Sequence, residues 1–169
     1  RIERAITDVL GAPLAEDAAI VVKLRIEDDL AVVSLDSSGE SLHKRGHKEA
    51  VAKAPMRETM AAGFLHECGY RGAEPVFDPM CGSGTFVIEA AEIASGLYPG
   101  RSRHFAFEDF ASFKLDIWAR MKADMPVHVP EFRFAGADRD SGAVRMSTAN
   151  AVRAGVADWC DFVQGAIAD

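Results

Sequence analysis

Within nine residues, Asp78-Pro79-Met80-Cys81-Gly82-Ser83-Gly84-Thr85-Phe86 gathers a carboxylate, a thiol, two hydroxyls and two glycines. A short apolar run, Val76-Phe77, leads into the acid, and an apolar stretch follows Thr85. That order predicts a strand end, a glycine turn and a helix N-terminus meeting at one point, the arrangement that receives small ligands in α/β proteins. Gly82 and Gly84 lack a Cβ, so a ligand can lie directly against the backbone. Cys81 has no base placed beside it by the sequence, and is read as a small residue filling a tight turn.

The spacing discriminates among ligands. A dinucleotide fingerprint needs a third glycine three residues after the second, where this chain has Val87, and a P-loop needs Gly-Lys-Ser/Thr, where Thr85 and Phe86 follow Gly84. An acid entering the loop would repel phosphate and attract an ammonium group. S-adenosylmethionine carries an ammonium and a sulfonium and no phosphate, so it fits; the alternative is an ordinary strand-to-helix turn. A second acid-ended strand is predicted at Phe132-Arg133-Phe134-Ala135-Gly136-Ala137-Asp138, followed by a helix over Ser141–Ala154 with Gly155 as its stop. An acid after the second strand is placed to accept two ribose hydroxyls. Asp138 takes that role and Asp140 the helix cap.

These strings, with Asn150-Ala151-Val152-Arg153-Ala154-Gly155-Val156, resemble bacterial THUMP-domain-containing RNA (guanine-N2) methyltransferases of large-subunit ribosomal RNA. Ser34-Leu35-Asp36-Ser37-Ser38-Gly39-Glu40-Ser41-Leu42-His43-Lys44-Arg45-Gly46-His47 resembles that family's interdomain junction, and Ala54-Pro55-Met56-Arg57-Glu58-Thr59 the helix before its first catalytic strand. Phe105-Ala106-Phe107-Glu108-Asp109-Phe110 and Trp118 resemble its insertion before the second strand. The resemblance implies an α/β class I methyltransferase (Rossmann-like) fold, present as its N-terminal half over 46–169. Residues 1–45 would be the end of a THUMP-like α+β domain and the junction.

It also implies S-adenosylmethionine as cofactor and 23S rRNA as partner; no metal and a cytoplasmic setting are expected from the three widely spaced cysteines. Asp78, Pro79, Cys81, Gly82, Gly84, Thr85, Asp138 and Arg139 would be the cofactor-binding residues, with Pro55, Arg57 and Thr59 at the border. The family's catalytic Asn/Asp-Pro-Pro-aromatic string does not occur in this chain. Its catalytic residues are therefore expected beyond Asp169. Ala166 stands where many members place an acid for the adenine amino group. Two other readings of the site are an amino-methyltransferase acting on DNA adenine or protein, and a non-catalytic RNA-binding module.

The elements that must position these residues are predicted as follows. A helix and turn occupy 1–14, and strands at 19–26 and Leu30–Leu35 form a hairpin. A helix over 55–67 starts with proline in its first turn, a strand covers 75–77, and helices cover Thr85–Ala94 and 112–123. Phe113, Ile117 and Met121 are predicted to face a core, as are Val144, Ala151 and Val152. The chain starts at Arg1 without a methionine and stops inside an α/β repeat, so more chain is expected on both sides, covering an apolar strand edge.

Composition is that of a globular interior, 49% hydrophobic, with no apolar run near the ~20 residues of a membrane span and no secretory signal. Cys68, Cys81 and Cys160 are far apart and lack metal-site spacing. The net charge of −7 argues against a nucleic-acid footprint over the whole chain. Between Leu42 and Glu58, however, Lys44, Arg45, Lys48, Lys53 and Arg57 outweigh Glu49 and Glu58 by +3. That segment is a candidate RNA-facing surface or a solvated linker.

Overall fold

The computed structural model describes residues 2–49 and 55–167. Arg1, Lys53, Ala54 and Asp169, named above, lie outside the described residues. The chain divides into two compact units, 1–40 with 104–115, and 41–103 with 116–169.

The first unit contains α1 (Ile2–Leu10) and strands β1 (Val22–Glu27) and β2 (Leu30–Leu35), paired antiparallel from Val22 opposite Leu35 to Glu27 opposite Leu30. Asp28 and Asp29 close the hairpin with φ of 49° and 61°, the doubly left-handed turn whose twist matches that of paired strands. Residues 104–115 join this unit as a 3-10 turn, Ala106–Asp109. The Phe107 N–H donates to the Ser37 carbonyl at 3.1 Å, and the Phe105 and Phe107 rings stack at 5.2 Å. The sequence reading carried this segment within 46–169. Its packing on the β2 end is tertiary information.

In the second unit, α2 (Glu58–Glu67), β3 (Val76–Asp78), α3 (Thr85–Ala94), β4 (Phe134–Asp138), α5 (Ser141–Ala154) and β5 (Cys160–Gln164) build a parallel sheet with flanking helices. The strand order is β3-β4-β5. Asp78 pairs with Gly136, and Asp138 with Gln164, so both acids stand at strand carboxyl ends. The core centres on Phe134, Val87 and Val156, each wholly buried, with Leu65, Tyr70, Ile88 and Ala151 around them. Phe77 on β3 and Val163 on β5 are exposed at the two sheet edges.

Three expectations are corrected. The helix predicted from Pro55 begins at Glu58, with Arg57 an extended N-cap at ψ 140°; the Met56 carbonyl is taken by Lys48 Nζ at 2.8 Å instead of a helical N–H. Helix α4 (Leu115–Ala123) starts later than 112 and has no buried residue, leaving Ile117 and Met121 about half exposed. Val152 is likewise exposed. The buried face of α5 is Ala143, Ser147, Asn150, Ala151 and Ala154, small and polar because it lies close against other backbone.

Helix α3 buries two acids, and each needs a cation. Arg45 holds Glu89 through both oxygens, at 3.0 and 3.2 Å, while Arg101 holds Glu92 and the Ala154 carbonyl. Burial pushes the Glu92 carboxyl up to about 7 against the pull of Arg101. Burial, with Arg101, Arg45, Lys48 and Arg153 nearby, pushes the His47 imidazole down to about 4.

Between the ordinary carboxyl value of 4.5 and about 7, folded Glu92 keeps a proton that the unfolded chain has lost, so its contribution to stability falls as pH rises. Between about 4 and 6.5, folded His47 lacks a proton that the unfolded chain binds, so its contribution rises with pH. The two slopes oppose in the protein. Replacing His47 with Gln should therefore make Tm fall more steeply than wild type between pH 4.5 and 6.5. A calorimetric profile parallel to wild type would contradict this balance.

Candidate functional site

At the end of β3 the Asp78 carboxylate accepts the Met80 N–H at 3.0 Å through Oδ1, a turn that side-chain acceptors of this length favour. The loop then crosses the end of β4, where the Cys81 N–H donates to the Ala137 carbonyl at 2.9 Å, and closes through Gly84 N–H to the Cys81 carbonyl at 2.8 Å. Gly82 and Gly84 have φ of 55° and 79°, the left-handed region that favours glycine.

Asp138 joins the two loops. Its Oδ2 accepts the Gly82 N–H at 3.0 Å and its Oδ1 the Asp140 N–H at 2.9 Å. Asp140 caps α5 by accepting the Gly142 N–H at 2.8 Å, as the sequence predicts, and Gly155 ends that helix in the left-handed region. The loop after β5 returns to the same place, with the Gly165 N–H on the Asp138 carbonyl at 3.1 Å and Gln164 Nε2 on the Arg139 carbonyl at 3.1 Å.

The structure brings Asp78, Gly82 and Asp138 together at one rim. The two glycines differ in what surrounds them. A Cβ at Gly82 would have nothing within 4 Å, whereas one at Gly84 would lie 2.7 Å from the Ser147 Cβ and about as close to the Phe162 ring as a carbon can come. Gly82 is thus the bare surface. The space at Gly84 is filled by α5 and β5 rather than left for a ligand.

Pro79 is half-buried, Arg139 is exposed, and Thr85 is buried with its Oγ1 accepting Lys48 Nζ at 2.7 Å. Cys81 is buried 3.8 Å from the Ser147 hydroxyl, and burial pushes its thiol up. A thiol so placed stays protonated and does not attack, in keeping with a turn-filling residue.

Sequence reasoning missed the residues behind the loop. Asn150 Nδ2 donates to the Ser83 carbonyl at 3.0 Å, and Ser147 Oγ donates to the Ala143 carbonyl at 2.7 Å. Lys48 and Arg45, read as candidates for an RNA-facing surface, turn inward to Thr85 and Glu89. A polar residue recurring on the inner face of α5 was the available signal, and hydrophobic periodicity alone passes over it.

The rim fits S-adenosylmethionine. Two half-buried carboxylates suit an ammonium and ribose hydroxyls, and the open side of Gly82 admits a flat contact. Comparison with known proteins places the chain among methyltransferases. A family model described as RMKL-like, methyltransferase domain, matches residues 45–169. The ribosomal RNA large subunit methyltransferase K/L of Vibrio parahaemolyticus is 38% identical over 156 residues, 88% of this chain and 22% of that protein. The chain thus spans about a fifth of that relative's length.

Among solved structures, SMU.472, described as a candidate methyltransferase complexed with SAH, matches with a TM-score of 0.82 and 30% identity over 99% of this chain and 46% of its own. A predicted N6-adenine-specific DNA methylase from Listeria monocytogenes matches with a TM-score of 0.75 and 34% identity, over 88% of this chain and 40% of its own.

The crowding at the loop separates two substitutions. Gly82→Ala meets open space and should cost only about 1–2 kcal/mol, the penalty of a left-handed backbone. Gly136→Ala would place a Cβ 2.8 Å from the Cys81 Cβ and 2.9 Å from the Phe162 ring. It should cost about 1–3 kcal/mol from overpacking alone, with slow or incomplete folding at the upper end. Denaturant unfolding of the pair checks this, and a Gly82→Ala loss exceeding that of Gly136→Ala would contradict the assignment of open and filled sides.

Proposed function

The chain belongs to the RMKL-like methyltransferase-domain family, and we propose that its residues 46–169 build the donor site of an S-adenosylmethionine-dependent RNA methyltransferase. The proposed reaction is methylation of the exocyclic N2 amine of a guanine in 23S rRNA. One observation carries the reading: two half-buried carboxylates, Asp78 and Asp138, end adjacent parallel strands, and Asp138 accepts the N–H of Gly82, whose missing side chain faces open space.

Each Asp138 oxygen receives one backbone N–H, and a carboxylate oxygen has a second lone pair to offer. Those remaining positions receive the two ribose hydroxyls. Asp78 uses Oδ1 for the Met80 N–H and presents Oδ2 to the ammonium of the methionine moiety. Pro79 and Thr85 border the methionine side of the loop, Arg139 borders the ribose side, and Cys81 and Gly84 hold the loop's shape from beneath.

Bound there, S-adenosylmethionine supplies a sulfonium methyl group as a preformed electrophile. The chain's own contribution is orientation, which lowers the entropic part of the barrier. A guanine N2 lone pair is delocalised into its ring, so an acceptor loop must align it and the base must leave its RNA stack. Residues 1–45 are read as the end of a THUMP-like domain that binds the RNA. Among the described residues no helix is long and apolar enough to cross a membrane, and an rRNA substrate puts the protein in the cytoplasm.

A second reading, methylation of DNA adenine, is favoured by the name of the Listeria monocytogenes structure and shares the same donor site. In the full-length protein, Asp138→Ala should weaken SAH binding by about 1–3 kcal/mol, the scale for removing partners of buried polar groups. Titration calorimetry showing unchanged affinity would remove Asp138 from the site. Nucleoside mass spectrometry after gene deletion should show loss of N2-methylguanosine from 23S rRNA; loss of N6-methyladenine from DNA instead would replace the RNA reading with the second one.

A further inference from the structure

Consecutive residues of the junction, His47 and Lys48, reach the two sides of Gly84 by separate routes. On one side Lys48 Nζ donates to Thr85 Oγ1 at 2.7 Å and to the Met56 carbonyl at 2.8 Å, and lies 3.5 Å from Glu58 Oε1. On the other, the His47 carbonyl accepts Arg153 Nε at 2.8 Å, Arg153 Nη2 donates to Asn150 Oδ1, and Asn150 Nδ2 donates to the Ser83 carbonyl at 3.0 Å. Asn150 is 1% exposed and the Lys48 side chain 9%. The gap between the routes, lined by His47, Lys48, Glu58, Ser83, Thr85 and Asn150, has a volume of only about 10 Å³, room for roughly one water.

A lysine enclosed this closely has no slack, and burial strengthens each of its contacts. A buried ammonium must satisfy its N–H donors, and Glu58 and the Met56 carbonyl are acceptors outside the glycine loop. The contact to Thr85 goes further, because Thr85 is the first residue of α3 and follows Gly84 directly. Gly84, in turn, is pressed from behind by Ser147 and Phe162, so the loop is held from the rear by packing and at its two flanks by the junction.

We propose that the His47–Lys48 pair is a strap that sets the Ser83-Gly84-Thr85 backbone, and that Lys48 is a positioning residue for the methyl donor. The inference rests on the donor-site reading above. Lys48 touches no ligand; it acts through Thr85.

The test uses the full-length protein, SAH titration and steady-state kinetics. Lys48→Met should raise the SAH Kd and the S-adenosylmethionine KM together by about tenfold, with a much smaller change in kcat at saturating donor, the loss of one charge-assisted contact transmitted to the site. Hydrogen exchange of the peptide spanning 79–86 should quicken. Thr85→Val should weaken binding too, and adding it to Lys48→Met should cost little more, because the two changes remove one contact. If Lys48→Met does not fold, Arg153→Met breaks the other route and should show the same Kd and exchange changes.

Wild-type SAH affinity in Lys48→Met, with only Tm lowered, would overturn the strap while Asp138→Ala still loses binding. A wild-type protein that does not bind SAH, or an Asp138→Ala variant that binds as wild type does, would overturn the donor-site reading and the strap with it.

Discussion

The parallel-sheet unit depends on one close approach of backbone to backbone, where the glycine loop lies across the end of β4 and under α5. A Cβ at Gly136 would sit 2.8 Å from the Cys81 Cβ, and one at Gly84 would sit 2.7 Å from the Ser147 Cβ. Real Cβ atoms essentially never come so near, so a side chain at either position must displace its neighbours. The loop is crowded at Cys81 and Gly84, whereas a Cβ at Gly82 would meet nothing within 4 Å. The Gly82 N–H meets the Asp138 carboxylate, and the side of the residue where a Cβ would stand is open. Packing behind the loop thereby creates the surface in front of it.

Compensated charge is the second requirement. Helix α3 is buried along nearly its whole length, including Glu89 and Glu92. Arg45 and Arg101 answer those acids from flanking segments, and Lys48 and Arg153 extend the same polar layer to Thr85 and Asn150. An apolar layer of equal volume would pack as well. A polar one has directional bonds, and those bonds fix the height and tilt of the loop at which α3 begins.

Local signals carried most of the fold. The strand–glycine–helix order at 76–94, the Asp140 cap and the Gly155 stop are written in neighbouring residues, and each is found where the sequence puts it. The start of α2 was misread because a tertiary contact, Lys48 on the Met56 carbonyl, takes the first turn's acceptor. The apolar stripe of α4 is genuine, but periodicity marks a face without saying what covers it, and Ile117 and Met121 are exposed. The two acids proposed for the site are placed at strand ends by the sequence, and each is found there. The residues that hold the loop were not legible, since Lys48 and Thr85 lie 37 positions apart and Asn150 and Ser83 lie 67 apart. A lysine in a basic run reads as surface until the fold shows where it turns.

The most direct test of the donor site is a crystal structure of the full-length protein with SAH. The ribose hydroxyls should lie within about 2.6–3.0 Å of the Asp138 carboxylate, hydrogen-bond range for a charged acceptor, with the ligand over Gly82 and its ammonium at Asp78. SAH bound elsewhere in the protein, with the Asp138 carboxylate engaged only by Gly82 and Asp140, would contradict it.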